Sequence, residues 1–539
     1  MDNPSTTKPQ VNHVEDKSPK MASTIAVDLP ELSSHELRDQ MAAQVRVSKL
    51  RYFSLASIQL YVFFFIAYCN SWGTGFDSSL MGTMNANNGW HTYFDVPKAG
   101  GTLGIVTAVY TIGNLCGSFF AGPASDRYGR RIGMFIGSFI VLVGAIAMCT
   151  AQNRAAYMAG RFWAGFGVAI ARSAAPAFVT EISPAQWRGP VTLLYNSLWL
   201  VGAIIASAIA HATGPLKSDM SWRIPLIIQV VPSSVVLIGC LFMPESPRWL
   251  VANDRYEEAR QILAKYHDDG DLDSPLVALE LAEMRDSIRQ EASDKRWYDY
   301  SELWNTRSAR YRTMLVISMA CIGQWGGSNL TGYYLANLLR AIGITSQDRL
   351  LTFNLAYYVA ALGGAIVGSL VSNHVGRRPL LIFGCLSMSA CLVALTACTS
   401  VYQPGQAVAL SNVTIAFIFF VGIFHTCGVN PLVVAYPVEV LHTNIRAKGM
   451  GLNNFVLNCA EFINTYATPI GLKTIGWKIY IVYVVWNIVQ AAWVFFLFVE
   501  TKGHTLEEMD EIFESKRPVK ASLEKPNSVA PIAREDMKV

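Results

Sequence analysis

Ionisable side chains stand inside stretches that are otherwise apolar, and their chemistry sets the terms for the rest of the chain. Residues 160 to 189 read GRFWAGFGVAIARSAAPAFVTEISPAQWRG, with Arg161 and Arg172 inside the run and Glu181 and Arg188 at its end. Asp77 lies in a similar run, after Gly75 and Phe76. A carboxylate or guanidinium at membrane depth must find an opposite charge, a proton or a water-filled cavity. If the run holding Asp77 and the run holding Arg161 cross a bilayer in opposite senses, the two residues reach similar depth and can pair. An Asp that trades its Arg partner for a proton is a proton-coupling device; a static salt bridge is the alternative. Arg172 and Glu461 are further mid-membrane charges, expected either to pair with each other or to leave Glu461 as a second proton site.

The elements that must position these groups follow from composition. The chain has 539 residues, 52% hydrophobic and only 15% charged, against nearer a quarter charged in soluble domains. Many apolar runs reach the roughly 20 residues that span a bilayer. Twelve spans are expected, six on each side of a polar central stretch, so the fold class is an all-α membrane protein with twelve transmembrane helices in two pseudo-symmetric six-helix halves. The expected divisions are a disordered tail at 1–50, a six-helix bundle at 51–243, a linker with short helices at 244–311, a second bundle at 312–499 and a tail at 500–539. Two amphipathic helices are expected in the linker, from Arg255 to Tyr266 and from Val277 to Glu291, either as a solvated linker or as a lid bracing the halves. Gly160, Gly165 and Gly167 allow another helix backbone close to the fourth span. Short loops carrying Arg127, Arg130, Arg131, Arg377 and Arg378 fall on the side of the linker, which the positive-inside rule makes cytosolic, with both termini there.

The second half repeats the first. Asp126-Arg127-Tyr128-Gly129-Arg130-Arg131 after the second span matches Asn373-His374-Val375-Gly376-Arg377-Arg378 after the eighth, and Glu181 with Arg188 matches Glu439 with Arg446. Such a repeat is the mark of a duplicated architecture. The clusters Asp126/Arg130, Glu181/Arg188 and Glu439/Arg446 are expected as ion pairs that gate the cytosolic end; simple topology anchoring is the plainer reading. The nine His are scattered and none has the HExxH spacing of a metal site, which argues against an enzyme. The net charge of +4, with its basic residues in short loops, argues against nucleic acid. The ten Cys lie mostly in apolar runs without CxxC spacing and are expected to be reduced packing residues.

The ordered set GPASDRYGRR, GRFWAG, PESPRWL, VGRRPLL and ETKGHTLEEMDEIF resembles the sugar porter family of the major facilitator superfamily. Within it, YNSLW at 195–199 and YPVEVLHTNIRAKGM at 436–450 are similar to fungal lactose and cellodextrin permeases. The resemblance implies alternating access, no cofactor beyond a proton as coupling ion, and a neutral sugar as substrate. Proton-coupled members carry an Asp at the position of Asp77, which agrees with coupling by Asp77 and Arg161. Sugars need donors, acceptors and aromatic rings; family matching puts Gln324 and Asn329 on the sugar, with Tyr333 beside them, and Asn196 and Asn458 as further candidates. Each Asn has an interhelical hydrogen bond as its plainer reading. The family's paired Gln in span seven is Gly323-Gln324 here, and Asn196 and Val434 replace usual residues, which points to a different or larger sugar than a hexose. The expected function is import of a disaccharide such as lactose or cellobiose with a proton, across the plasma membrane, by a monomer. A hexose transporter and a sugar sensor with little flux are the rivals. Asn412, in a sequon near an outer loop, is a candidate glycosylation site.

Overall fold

Hydrocarbon offers no partner for a free backbone N–H or C=O, so apolar runs of this length must close their hydrogen bonds within themselves as helices. The computed structural model describes residues 53–268, 270–292, 300–401, 408–442, 445–504 and 506–523, and every regular element among them is helical. The first half holds span one (Leu55–Ala86), span two (Gly101–Tyr128), span three (Arg130–Thr150), span four (Arg154–Ile182), span five (Arg188–Thr213) and span six (Met220–Phe242). The second half holds span seven in three pieces (Arg307–Trp325, Ser328–Tyr333 and Leu335–Ala341), span eight (Gln347–Val375) and span nine (Arg377–Val401). Span ten (Val408–Gly428, continued by Leu432–Val440), span eleven (Arg446–Thr474) and span twelve (Ile479–Leu497) complete it. This is the twelve-helix arrangement in two halves.

Among the described residues, ten helices are long and apolar enough to cross a membrane. Spans seven and eleven are the two that fall short. Span seven is interrupted at Gly326–Gly327, and span eleven carries Asn453, Asn454, Asn458, Glu461 and Asn464 along its length. Both depart from plain hydrophobicity where the sequence places candidate substrate contacts.

The linker helices form Tyr256–His267 and Pro275–Ala292, close to the expected bounds, preceded by Pro247–Ala252 and followed by Glu302–Asn305. The first three dock on the first half. His267 bridges Glu280 at 2.6 Å and the Ile182 carbonyl, the last of span four, at 3.2 Å, and Trp249 Nε1 donates to the Asp126 carbonyl at 2.8 Å. Glu302 instead meets Lys448 of span eleven at 3.1 Å. Both expected linker helices therefore sit on the first half, and the short helix after them is the piece of the linker that meets the second.

The tail expected from residue 500 is not wholly a tail. Leu506–Glu514 is a helix that buries Met509, Ile512 and Phe513 against the second half. Its Asp510 meets Arg312 at 2.7 Å; that guanidinium is 4% exposed and lies over the Phe513 ring. Leu506, Met509, Ile512 and Phe513 recur at helical spacing, the signal by which an amphipathic helix is recognised. Residues 1–50 lie outside the described residues.

Spans two and four touch through backbone. A Cβ placed on Gly165 would lie 2.0 Å from the Tyr110 carbonyl oxygen, which no rotamer change relieves. Gly160 and Gly167 approach span three in the same way, against the carbonyls of Gly144 and Gly137. Gly165→Leu is expected to cost about 3 kcal/mol or more and to lower the melting temperature of the purified protein by several degrees. An unchanged melting curve in detergent would show that these helices are not held at this distance.

Candidate functional site

Span one and span four bring Asp77 and Arg161 together. Both are almost wholly buried, and Arg161 Nη1 lies 3.6 Å from Asp77 Oδ1. The guanidinium covers the Tyr110 ring, 5.0 Å from its centroid. The Tyr110 hydroxyl and the Gln229 amide face the same carboxylate, yet among the described residues no donor closes a hydrogen bond on either Asp77 oxygen. The carboxylate is held by charge at a distance rather than by a bidentate fork, so little hydrogen bonding must be broken to release it. Tyr110 and Gln229 were not singled out in the sequence; a lone polar residue in an apolar span gave no hint of its partner.

Between the halves lies a cavity of about 1970 Å³ that opens on the linker side. Asn114, Ser118, Arg172, Tyr195, Asn196 and Asn458 line its deeper wall, and Asp126, Arg127, Glu302 and Asp510 its mouth. The far side is closed by hydrogen bonds from one half to the other. Asn85 Nδ2 donates to the Tyr333 carbonyl at 2.8 Å, Gly100 N to the Pro469 carbonyl at 3.0 Å, and Ser207 Oγ to Asn354 Oδ1 at 3.0 Å. Asn337 Nδ2 donates to the Lys98 carbonyl at 2.9 Å, and Gln347 Nε2 to the Gly214 carbonyl at 3.0 Å. The protein is therefore open to the linker side and sealed on the other.

Of the candidate substrate contacts, Asn196 and Asn458 stand on the cavity wall. Asn458 Nδ2 also reaches Ser118 Oγ of the opposite half at 3.3 Å. Gln324, Asn329 and Tyr333 form a separate half-buried group beyond the cavity lining, towards the seal. Asn329 Nδ2 donates to Gln324 Oε1 at 2.8 Å, and the Tyr333 hydroxyl donates to Glu461 Oε1 at 3.1 Å. Glu461 and Arg172 do not pair: Glu461 takes its bond from Tyr333, while Arg172 faces the cavity and has no ion pair among the described residues.

The charged clusters recur in both halves, but their partners differ from those the sequence suggests. Glu181 pairs with Arg130 at 3.1 Å, not with Arg188, whose Nε donates to the Ser183 carbonyl. Glu439 pairs with Arg377 at 2.7 Å, not with Arg446, whose guanidinium reaches the Leu441 carbonyl. The reason is helix direction: Arg188 and Arg446 open spans five and eleven and turn back onto the chain just before them. Arg130 also holds Asp126 at 2.6 Å. Two glutamates not assigned from sequence complete the clusters. Glu245 accepts from the backbone N–H of Arg130, Arg131 and Ser246, and Glu500 from those of Arg377, Arg378 and Thr501. Each caps a helix whose preceding glycine, Gly129 or Gly376, has φ near +100° or +94°, and anions suit such N-termini. Burial pushes the Glu245 carboxyl above the usual range, against these bonds to its ionised form. Ser246 and Thr501, next in sequence, donate to Glu181 and Glu439. The repeated Glu-Ser and Glu-Thr after spans six and twelve were the available signal.

A family model described as "Sugar (and other) transporter" matches residues 62–513. The chain belongs to that family. Within the sugar porters, it is 28% identical over 478 residues to a high-affinity glucose transporter of Kluyveromyces lactis, covering 85% of this chain and 86% of that one. It is 29% identical over 465 residues to high-affinity glucose transporter 1 of Candida albicans, covering 82% and 84%. The fold is similar to the inward open conformation of the xylose transporter XylE from E. coli, with a TM-score of 0.70 and 20% identity, over 84% of this chain and 100% of that one. It is also similar to XylE described as a proton:xylose symporter bound to 6-bromo-6-deoxy-D-glucose, with a TM-score of 0.67 and 19% identity, over 84% and 99%. This sugar porter is a transporter and not an enzyme.

Asn412, the candidate glycosylation site near an outer loop, lies within a helix. Asn412 is the fifth residue of the helix Val408–Gly428, within the stretch Leu410–Val440 that is apolar enough to cross the membrane. A helical sequon at a span end is not presented as an extended acceptor on a surface loop. For the charged clusters, a double-mutant cycle on melting free energy is expected to give about 2 kcal/mol of coupling between Glu181 and Arg130, and under about 0.5 kcal/mol between Glu181 and Arg188. The reverse ranking would restore the pairing suggested by sequence spacing.

Proposed function

We propose that this sugar porter carries a sugar inward together with a proton, by alternating access between the linker-side-open form seen here and one open on the far side. The observation that carries the coupling is the buried Asp77–Arg161 pair, held at 3.6 Å with no hydrogen bond to either carboxylate oxygen. A proton arriving at Asp77 neutralises it and frees Arg161, which keeps the Tyr110 ring face as a cation–π partner. The field between spans one and four then differs between protonated and unprotonated forms, and an equilibrium between two conformations shifts only by such a difference.

The sugar is assigned to the space between Asn196 and Asn458 on the cavity wall and Gln324, Asn329 and Tyr333 towards the seal. These amides and the phenol supply paired donors and acceptors for hydroxyls. Closure on the linker side draws the two groups together around the ligand. The charged clusters Asp126/Arg130/Glu181 and Arg377/Glu439, with Arg188 and Arg446 beside them, brace the linker-side end of each half, so that each rocks as a unit; in this form none of these residues joins the halves by an ion pair among the described residues. We assign a β-linked disaccharide such as lactose or cellobiose, because Asn196, on the cavity wall, is one methylene shorter than the Gln the resemblance expects there; Gly323 adds no room, since a Cβ on it would lie 2.8 Å from Val433 Cγ2. The names of the K. lactis and C. albicans relatives favour glucose as the second reading. The linker side is taken as cytosolic, with both termini there and the protein a monomer of the plasma membrane.

The test is uptake of labelled cellobiose, lactose and glucose by transport-deficient yeast at pH 5 and pH 7.5. Disaccharide uptake faster at pH 5, and accumulation lost in Asp77→Asn with facilitated exchange retained, is the expected result. Glucose uptake alone would reassign the sugar, and an Asp77→Asn variant that still concentrates sugar would remove the coupling role.

A further inference from the structure

Span seven breaks inside the membrane. Its first helix ends at Trp325, Gly327 has φ of +100°, and a new short helix starts at Ser328. In an unbroken helix the carbonyls of Gly323, Gln324 and Gly326 would accept from N–H groups four residues on. Among the described residues no backbone N–H bonds them across this break. An unpaired carbonyl in hydrocarbon costs several kcal/mol, so the break persists only if something else serves these oxygens.

Three side chains from three other spans do so. His425 Nε2 of span ten lies 3.2 Å from the Gly323 oxygen, Asn464 Nδ2 of span eleven 2.6 Å from the Gln324 oxygen, and Asn487 Nδ2 of span twelve 3.0 Å from the Gly326 oxygen. The bonds are themselves held. Asn464 Oδ1 accepts from the Tyr483 hydroxyl at 2.6 Å and from Thr468 Oγ1 at 3.0 Å, and Asn487 Nδ2 also meets the Tyr483 carbonyl at 2.8 Å. Asn487 is completely buried, so its amide has no role at a surface. The stretch so clamped contains Gln324 and leads directly to Asn329, whose amide bonds Gln324 Oε1.

We infer that Asn464, Asn487 and His425 are positioning residues: they fix the broken stretch of span seven and thereby the direction of Gln324 and Asn329. The inference rests on the reading that Gln324 and Asn329 meet the sugar. Removing one clamp leaves a carbonyl to find another partner, and the stretch turns to do so, carrying the Gln324 amide off its line. A purely structural loss lowers the amount of transporter and hence Vmax; misdirection of Gln324 raises KM.

The experiment measures KM and Vmax for labelled cellobiose and glucose in the full-length protein, with surface abundance counted, for Asn487→Leu, Asn464→Leu, Asn487→Gln and Gln324→Ala. Loss of one hydrogen bond of about 1.4 kcal/mol corresponds to roughly tenfold. The expected result is a KM raised about tenfold in both Leu variants and in Gln324→Ala, with Asn487→Gln restoring most of it. If Gln324→Ala raises KM while the Leu variants leave it within twofold, the clamp is overturned and the sugar site stands. If Gln324→Ala leaves KM unchanged, the sugar site itself is misplaced, and the clamp with it. Should Asn487→Leu not reach the surface, His425→Phe, which removes the donor to Gly323 from a half-buried position, is read by the same criteria.

Discussion

Inside a bilayer every polar group must be answered by the protein, and this one rule accounts for most of what is unusual in the chain. It makes the apolar runs helical, since only a helix closes its own backbone bonds. It makes each irregularity expensive, so the few that exist are supported by neighbours: the carbonyls freed at the break in span seven meet His425, Asn464 and Asn487, and the buried Arg161 of span four meets Asp77. Four of the polar residues that lower the hydropathy of span eleven reach span seven or the cavity: Glu461 and Asn464 the former, Asn454 and Asn458 the latter. Departures from an ideal span and the candidate transport site therefore coincide for a physical reason.

The duplicated linker-side ends show the same economy. In each half a glutamate after the sixth helix of that half caps the start of the third, and the arginine opening that third helix pairs with a glutamate at the end of the fourth. Helix N-terminus, cap and ion pair form one rigid corner. Because both corners are built alike, the two halves present similar blocks around the cavity mouth, and the cavity between them changes by motion of blocks rather than by refolding of helices.

Much of this was legible in the sequence, and the rest was hidden for definable reasons. The twelve spans, the repeat and the Asp77–Arg161 pairing follow from hydropathy, spacing and the alternating direction of helices. The partners of Glu181 and Glu439 do not, because spacing along the chain favours the near arginine, whereas the fold supplies ones 51 and 62 residues away. Gly326 and Gly327 announced a weak point in span seven, but which residues of spans ten to twelve would serve it depends on how those helices rotate, which no single-sequence pattern records. The docked helix at 506–514 carried a readable apolar spacing that its polar surroundings masked. Asn412 stands near the end of its span, where hydropathy alone does not separate the last helical turn from the loop beyond it.

The seal on the far side has one further implication. It is assembled mainly from amides, a hydroxyl and backbone carbonyls, as in Asn85 to Tyr333, Gly100 to Pro469 and Ser207 to Asn354. Such bonds carry no net charge, so neither dissolved salt, which screens ions within about 10 Å at 0.1 M, nor ordinary acidity alters them greatly. Each contributes on the order of 1 kcal/mol, and water replaces it readily when the halves part. A closure of this kind behaves as a zipper of many small teeth rather than a bolt, and charge enters it only at its edge, where Arg340 donates to the Ala86 carbonyl and His211 stands 3.8 Å from Asp348 across the halves.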